Sequence, residues 1–336
     1  MAGQGRTTLA DVAKEARVST ATVSRALATD PRPDVSEETR RRIRAIATRL
    51  GYQPNTLAQS LRSGGFRGLS VVLPEDYWGW WEPTVLCAAD TARAHDYHLL
   101  MHPIRGVGRD LVAVLSSLRQ TPTEGALIIA PDVSERARAA LSMLDLHYVL
   151  LDDASDDPLG PTVCARNYDG ARRMTEYLIE RGRRAIVYYA PDAGARFLRE
   201  RHAGYTDAVV AAGLRPTVVF DPDAIDESRR YCEPIAAQLP PEGGADAIFC
   251  AMDLLAPAVL RTVRRAGLRV PDDVAVAGFD DERVALLVDP PLTTVRQPLG
   301  ALGSTAIDML IGRIEGRLPV DDRIELDTEI VIRASA

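Results

Sequence analysis

Between Ser19 and Leu27 the 336-residue chain carries the run STATVSRAL, whose outward side chains on a helix are Thr20, Ala21, Thr22, Ser24 and Arg25. Four are small or hydrogen-bonding, and the fifth is a long cation. A helix inserted in the major groove of duplex DNA needs that slimness near its N-terminus, with a few side chains able to reach base edges. Arg25 has the planar fork for a bidentate contact to guanine. Taken alone, the segment fits a surface arginine on an ordinary three-helix bundle equally well.

Charge distribution separates the two alternatives. Residues 1–66 carry a net charge of +5, against −12 for residues 67–336 and −7 for the whole chain. A basic end that docks on phosphates, joined to an acidic body, accounts for this split. A generic solvated surface accounts for the acidic body but poorly for the basic end.

The elements that must present Arg25 are short. Leu9, Val12, Ala13 and Ala16 fall at i, i+3, i+4 and i+7, one stripe of a helix. After a break at Val18 and Ser19, with Ser19 placed as an N-cap, Val23, Ala26 and Leu27 form a second stripe. Ser36 caps a third helix, with Glu37 and Glu38 in its first turn, Ile43, Ile46, Ala47 and Leu50 inward, and Gly51 closing it. Next, Pro54 forces extended backbone, and Asn55 can cap the run TLAQSLRS, which stops at Gly64 and Gly65. A helix this short is unstable alone in water, so the segment is expected to order only on docking. The other reading is that Leu57 and Leu61 pack on the body.

From Arg67 the period changes. GLSVVLP, YHLLMHP, GALIIAP and HYVLLDD alternate with helical stretches, and the rhythm resumes with AIVYYAP, TVVFDP, AIFCAMD and VAVAGFD. Buried parallel strands with crossover helices read this way, in two similar α/β lobes with the second starting near Pro161. A cleft between two such lobes, beyond the carboxyl ends of their strands, is the expected small-molecule site. YWGWWEP places Tyr77, Trp78, Trp80 and Trp81, which include every tryptophan of the chain, in the loop after the first strand. Such rings can stack on a sugar face or planar ligand, or pack against the opposite lobe or a partner subunit.

Other function classes lack their signatures. Cys87, Cys164, Cys232 and Cys250 are widely spaced, and the five histidines show no metal-ligand spacing. No G-x-S-x-G elbow, P-loop or dinucleotide-binding glycine fingerprint occurs, so neither catalysis nor any cofactor or metal is expected. A transport binding protein or sugar-modifying enzyme is the competing class; the first needs an export signal and the second catalytic groups, and neither is readable. No apolar run approaches a membrane span, and the start MAGQGRTTLADVAKEA reads as neither signal peptide nor lipid anchor, so a cytoplasmic location is expected.

The run TLADVAKEARVSTATVSRAL, with VSEETRRRIRAIATRLGYQPNTLAQSLRSG after it, resembles the headpiece and hinge of the lac-repressor-type (LacI/GalR) family of bacterial transcriptional regulators. The likeness continues through LRERHAGYTDAVVAAGL, ADAIFCAMDLLAPAVLRTVRRAGLRVPDDVAVAGFDD and DPPLTTVRQPLGALGSTAIDMLIGRI. It implies a helix-turn-helix headpiece at 1–52 and a hinge helix and linker at 53–66. The remainder, 67–336, would be a periplasmic-binding-protein-like sensor of two doubly wound parallel-sheet lobes, one formed by 67–160 and 298–325, the other by 161–297 and 326–336.

By that resemblance Thr20, Ala21 and Arg25 read bases, Ser19, Thr22, Ser36, Thr39 and Tyr52 position phosphates, and Asn55, Ala58 and Leu61 serve the minor groove, Leu61 as a wedge between base pairs. Arg201, Asp280 and Asp152 fall at effector-contacting positions, and Trp80 and Trp81 at positions often aromatic. The implied partners are operator DNA, a small sugar-like effector and a second copy of the chain in a homodimer. Three departures stand out: Arg17 replaces the usual turn glycine, Ala28 a common asparagine, and Met252 the asparagine before Asp253. The last removes a polar contact and argues against a standard hexose.

Overall fold

The computed structural model describes residues 7–27, 35–52, 66–75, 78–105, 109–129, 135–152, 160–191, 194–225, 231–241, 244–317 and 323–336. The chain forms two compact units, Met1–Phe66 and Arg67–Ala336.

In the first unit, α1 (Leu9–Ala16) opens with a capping box between Thr8 and Asp11. It ends at Arg17 in the left-handed conformation, φ 54°, so the chain turns here without glycine. Next, α2 (Thr20–Ala26) is capped by Ser19, whose Oγ accepts from the Thr22 amide at 3.1 Å. Likewise α3 (Glu37–Arg49) is capped by Ser36, which accepts from Thr39 at 3.3 Å. The apolar stripes meet in one small core of Val12, Ala13, Ala16, Val23, Ala26, Val35, Ile43 and Ala47, with Leu9, Leu27, Ile46, Leu50 and Tyr52 packed around it.

The second unit holds two sheets. The first contains β1 (Gly68–Pro74), β2 (His98–Ile104), β3 (Gly125–Ile129), β4 (His147–Leu151), β5 (Thr162–Ala165) and β11 (Arg323–Leu326) in the order β11-β5-β4-β3-β1-β2, all parallel. The second contains β6 (Ile186–Ala190), β7 (Thr217–Phe220), β8 (Ala247–Cys250), β9 (Ala275–Asp280), β10 (Thr293–Arg296) and β12 (Glu329–Val331) in the order β12-β10-β9-β8-β6-β7. There β12 runs antiparallel to β10. Because β5 pairs with both β4 and β11, the chain leaves the first lobe after Ala165, five residues beyond the boundary at 160 that the sequence rhythm suggests. It crosses between lobes three times, after β5, after β10 and after β11.

The first-lobe helices are α4 (Trp78–Ala94), α5 (Arg109–Leu118), α6 (Glu135–Ser142) and α12 (Leu299–Ile314); α4 and α12 pack closely enough that a Cβ at Gly303 would lie 2.1 Å from the Thr84 carbonyl oxygen. In the second lobe α7 (Asn167–Glu180) and α8 (Arg196–Ala211) cover one face of the sheet, α9 (Glu233–Ala236) and α10 (Ala256–Arg265) the other, and α11 (Arg283–Leu287) follows β9. Aliphatic side chains of alternate strand positions fill a core on each face of each sheet. The tryptophan run is helical, since α4 begins at Trp78; Gly79 and Pro83 signal a loop locally, but tertiary packing overrides them. No helix among the described residues is long and apolar enough to cross a membrane.

Candidate functional site

Two groups of polar side chains are held in place without serving the cores. On the first unit, burial of Val23 and Ala26 turns the opposite side of α2 outward, leaving Thr20, Ala21 and Arg25 exposed on one short helix. Ser19 and Ser36 are also exposed, and Thr22 and Thr39 are partly so. Each serine hydroxyl meets the threonine hydroxyl three residues on, at 2.9 Å in both pairs. The N-termini of α2 and α3 therefore each carry a hydroxyl pair beside free amides, a setting that favours phosphate oxygens. Tyr52 is half-buried against the headpiece core. Asn55, Ala58 and Leu61 lie outside the described residues, as does Ala28.

The second group sits where strands of both lobes end. Arg201, projecting from α8, is 1% exposed. Its Nε donates to Asn167 Oδ1 at 2.9 Å, its Nη1 to the Ala251 carbonyl at 2.7 Å, and its Nη2 lies 3.0 Å from Asp280 Oδ1. The guanidinium is sandwiched between rings, with Phe279 at 3.7 Å and Phe197 at 4.9 Å. Three of its five N–H groups are thus committed to partners among the described residues. Asn167 in turn donates to the Ala165 carbonyl at 3.1 Å, which ties the arginine to the first crossing between lobes.

Asp280 Oδ1 also accepts from Gln297 Nε2 at 2.8 Å, while Gln297 Oε1 is buried with no hydrogen-bond partner. Gln297 belongs to the second crossing, in the run TTVRQPL. Asp280 and Asp281 both have positive φ, 117° and 55°, and so does Asp152 at 56°. Strain at several acidic residues in one place is a mark of a site that the surrounding fold maintains for function. Asp253 steadies this turn: its carboxylate accepts from the Glu282 amide at 2.9 Å and bonds Thr294 Oγ1 at 2.6 Å. Burial pushes the Asp253 carboxyl well above the usual carboxylate range.

Asp152, at the end of β4 in the first lobe, is buried and feels Arg201 across the cleft. Burial raises its carboxyl to about 6; Arg201 opposes the shift, and Glu200 and Asp280 add to it. Asp280 is likewise raised by burial, with Arg201 and Gln297 opposing. A cavity of about 10 Å³ lies among Asp152, Cys164, Asn167, Phe197, Glu200 and Arg323, room for about one water. Arg323 of β11 stands 3.6 Å from Glu200 of α8, an ion pair between lobes, and Glu200 also pairs with Arg196 at 2.7 Å.

The structure therefore brings Asp152, Arg201 and Asp280 together. Trp81 is 2% exposed and packs in the first-lobe core with Leu69, Val71 and Leu302, while the side chain of Trp80 lies outside the described residues. His202 turns from Arg201 to stack on Tyr188 at 5.5 Å. Asn167, Glu200, Gln297 and Arg323 were not singled out from sequence, since each becomes notable only through partners distant in the chain. Among the described residues no cluster of His, Cys, Asp and Glu could hold a metal ion.

Comparison with known proteins sorts these observations. Residues 8–55 match the model of bacterial regulatory proteins of the lacI family, and residues 175–336 that of a periplasmic binding protein-like domain. The HTH-type transcriptional repressor PurR of Erwinia tasmaniensis is 31% identical over 336 residues, covering 98% of this chain and 96% of that one. The chain belongs to the LacI family. It is an effector-controlled DNA-binding regulator, with the headpiece and two-lobed body of that family. Among solved structures, the lac repressor dimer bound to operator and the anti-inducer ONPF superposes with a TM-score of 0.87 at 25% identity, covering 98% of this chain and 99% of that one. The complex of the regulator CelR with cellobiose gives 0.71 at 27% identity, covering 98% and 100%.

Proposed function

We propose that the protein represses transcription as a cytoplasmic homodimer whose operator affinity is set by a small, polar, sugar-like effector held among Asp152, Arg201 and Asp280. The observation that carries this is the Arg201 cluster. A buried guanidinium paired with a buried carboxylate is a poor way to gain stability, because desolvation offsets the attraction. It is a good way to hold directional donors and acceptors ready for hydroxyl groups. Trp81 packs in the first-lobe core and offers no ring to a guest, contrary to what the family likeness implies for it. Met252 and the two phenylalanines beside Arg201 give the second-lobe side an apolar character, so the effector pairs polar groups on one edge with an apolar face. Among the described residues the cavity beside this cluster is far smaller than a sugar, and binding there would part the lobes and break the Arg323–Glu200 pair. The same motion alters how the first lobes of the dimer are placed, and it changes DNA affinity only if the guest binds the two states unequally.

In the headpiece, residues 1–52, Thr20, Ala21 and Arg25 read base edges, while Ser19, Thr22, Ser36, Thr39 and Tyr52 hold phosphates. In the hinge, residues 53–66, Asn55, Ala58 and Leu61 engage the minor groove. The protein has no catalytic role. A thermal-shift screen of sugars and nucleobases tests the effector reading, because a ligand of the native state raises the melting midpoint. The expected result is a ligand whose shift disappears in Arg201→Met and which changes the mobility-shift affinity for a duplex selected by the protein. A ligand that shifts Arg201→Met equally, or leaves DNA affinity unchanged, overturns it.

A further inference from the structure

The chain passes from the hinge into the body at Arg67, and the backbone there is unusual. Arg67 has φ 47°, a left-handed conformation that a long side chain disfavours. The next residue is a glycine, which could adopt that conformation freely. Gly68 is used otherwise: a Cβ on it would lie 2.4 Å from the Pro122 carbonyl oxygen, so its smallness serves the approach of the loop before β3. The turn is left to Arg67, and a set of bonds from two neighbouring segments maintains it.

Glu124, just before β3, accepts from the Arg67 amide through Oε1 at 2.8 Å and from the Tyr97 hydroxyl through Oε2 at 2.9 Å. Tyr97, just before β2, is 4% exposed, and the Arg67 guanidinium lies over its ring at 5.1 Å. The Arg67 carbonyl accepts from the His98 amide at 2.8 Å, and the Gly68 carbonyl from the Glu124 amide at 2.8 Å. One carboxylate, one aromatic ring and one backbone amide thus converge on Arg67, whose conformation sets where the preceding chain points, and a second backbone bond holds the residue after it. A disfavoured backbone conformation survives only where its surroundings over-determine it, and such places coincide with function.

We propose that Glu124 and Tyr97 are positioning residues for DNA binding: they hold Arg67 in its left-handed turn and so fix the direction in which the tether to the headpiece leaves the body. The inference rests on the DNA-binding function and is independent of the effector. Only specific binding needs a defined tether direction, since a duplex of random sequence can be held by one headpiece through phosphates alone.

The test uses the full chain and two DNA probes, a duplex selected by the wild-type protein from a random-sequence library and an unselected random duplex. Selection of any consensus by the wild type establishes the DNA-binding premise separately from the inference. Tyr97→Phe and Glu124→Ala are each expected to weaken binding to the selected duplex by about threefold to tenfold, the range of one lost hydrogen bond, while the random duplex binds as before. Adding Arg67→Asn to Glu124→Ala is expected to recover part of that loss, because asparagine tolerates the left-handed region. Melting midpoints separate this from unfolding, and Tyr97→Phe removes a single oxygen. Equal losses on both duplexes, no loss on either, or no recovery with Arg67→Asn overturns the proposal.

Discussion

The headpiece and the body solve opposite problems with the same residue types. In the headpiece, Thr20, Ala21 and Arg25 stand exposed on a short helix above a core of eight side chains. In the body, Arg201, Asp280 and Asp152 are 5% exposed or less and already bonded to one another or to their surroundings. The first arrangement leaves its side chains at the surface, whereas the second buries them, two of them on strained backbone. Substitutions should therefore divide: changes on the exposed face of α2 alter DNA recognition with little effect on stability, whereas changes in the buried cluster register first in stability.

The largest effect is expected from Arg201→Met. It leaves Asp280 and Asp152 buried without their cation, and loss of one partner of a buried pair costs about 3–5 kcal/mol, measurable as a lower urea midpoint. A change under about 1 kcal/mol would erase the contrast between the two regions. Asp152→Asn should act in the opposite direction at neutral pH. The native carboxyl, raised to about 6, holds its proton more tightly than the unfolded one, so the native state loses stability as pH rises from about 4 through 6. The asparagine variant escapes that loss, and at pH 7 it should exceed the wild type by up to about 3 kcal/mol, the two converging by about pH 4. Denaturation at several pH values shows whether the gap opens over that window.

On the headpiece side, Arg25→Ala should reduce discrimination at one base pair by about 1–3 kcal/mol while the melting midpoint stays put, read by mobility shift with single-base variants of a selected duplex. Ser36→Ala removes the cap of α3 and should cost about 1 kcal/mol of headpiece stability, seen in its helical circular dichroism. The smallest effect belongs to Arg17→Gly, which relieves φ 54° and should stabilise the same unit by at most about 1 kcal/mol. If Arg17→Gly destabilises instead, the side chain contributes more than the turn costs.

Local elements were the legible part of the sequence. The three headpiece helices, their serine caps and the inward stripes are short-range patterns, and the structure places Ser19, Ser36, Val23 and Ile43 where spacing puts them. The eight long apolar runs became strands. The four strands that no periodicity announced, β5, β10, β11 and β12, have three or four residues each and owe their state to neighbours in the sheet. Missing β5 is what moved the lobe boundary to 160. In the cleft, Arg201 and the aspartates came from family likeness, whereas Gln297 and Asn167 depend on crossings that bring distant segments together, which no local pattern encodes.

The three crossings between lobes have a mechanical consequence. They act as an axle, and two of the residues tied to the Arg201 cluster, Asn167 and Gln297, are mounted on it or at its edge. At the other end of β1, seven residues and about 20 Å away along the strand, is Arg67. On a lever of that length each degree of pivoting sweeps the far end through about 0.4 Å. A rotation about the axle therefore displaces Arg67 far more than it displaces Asn167 or Gln297.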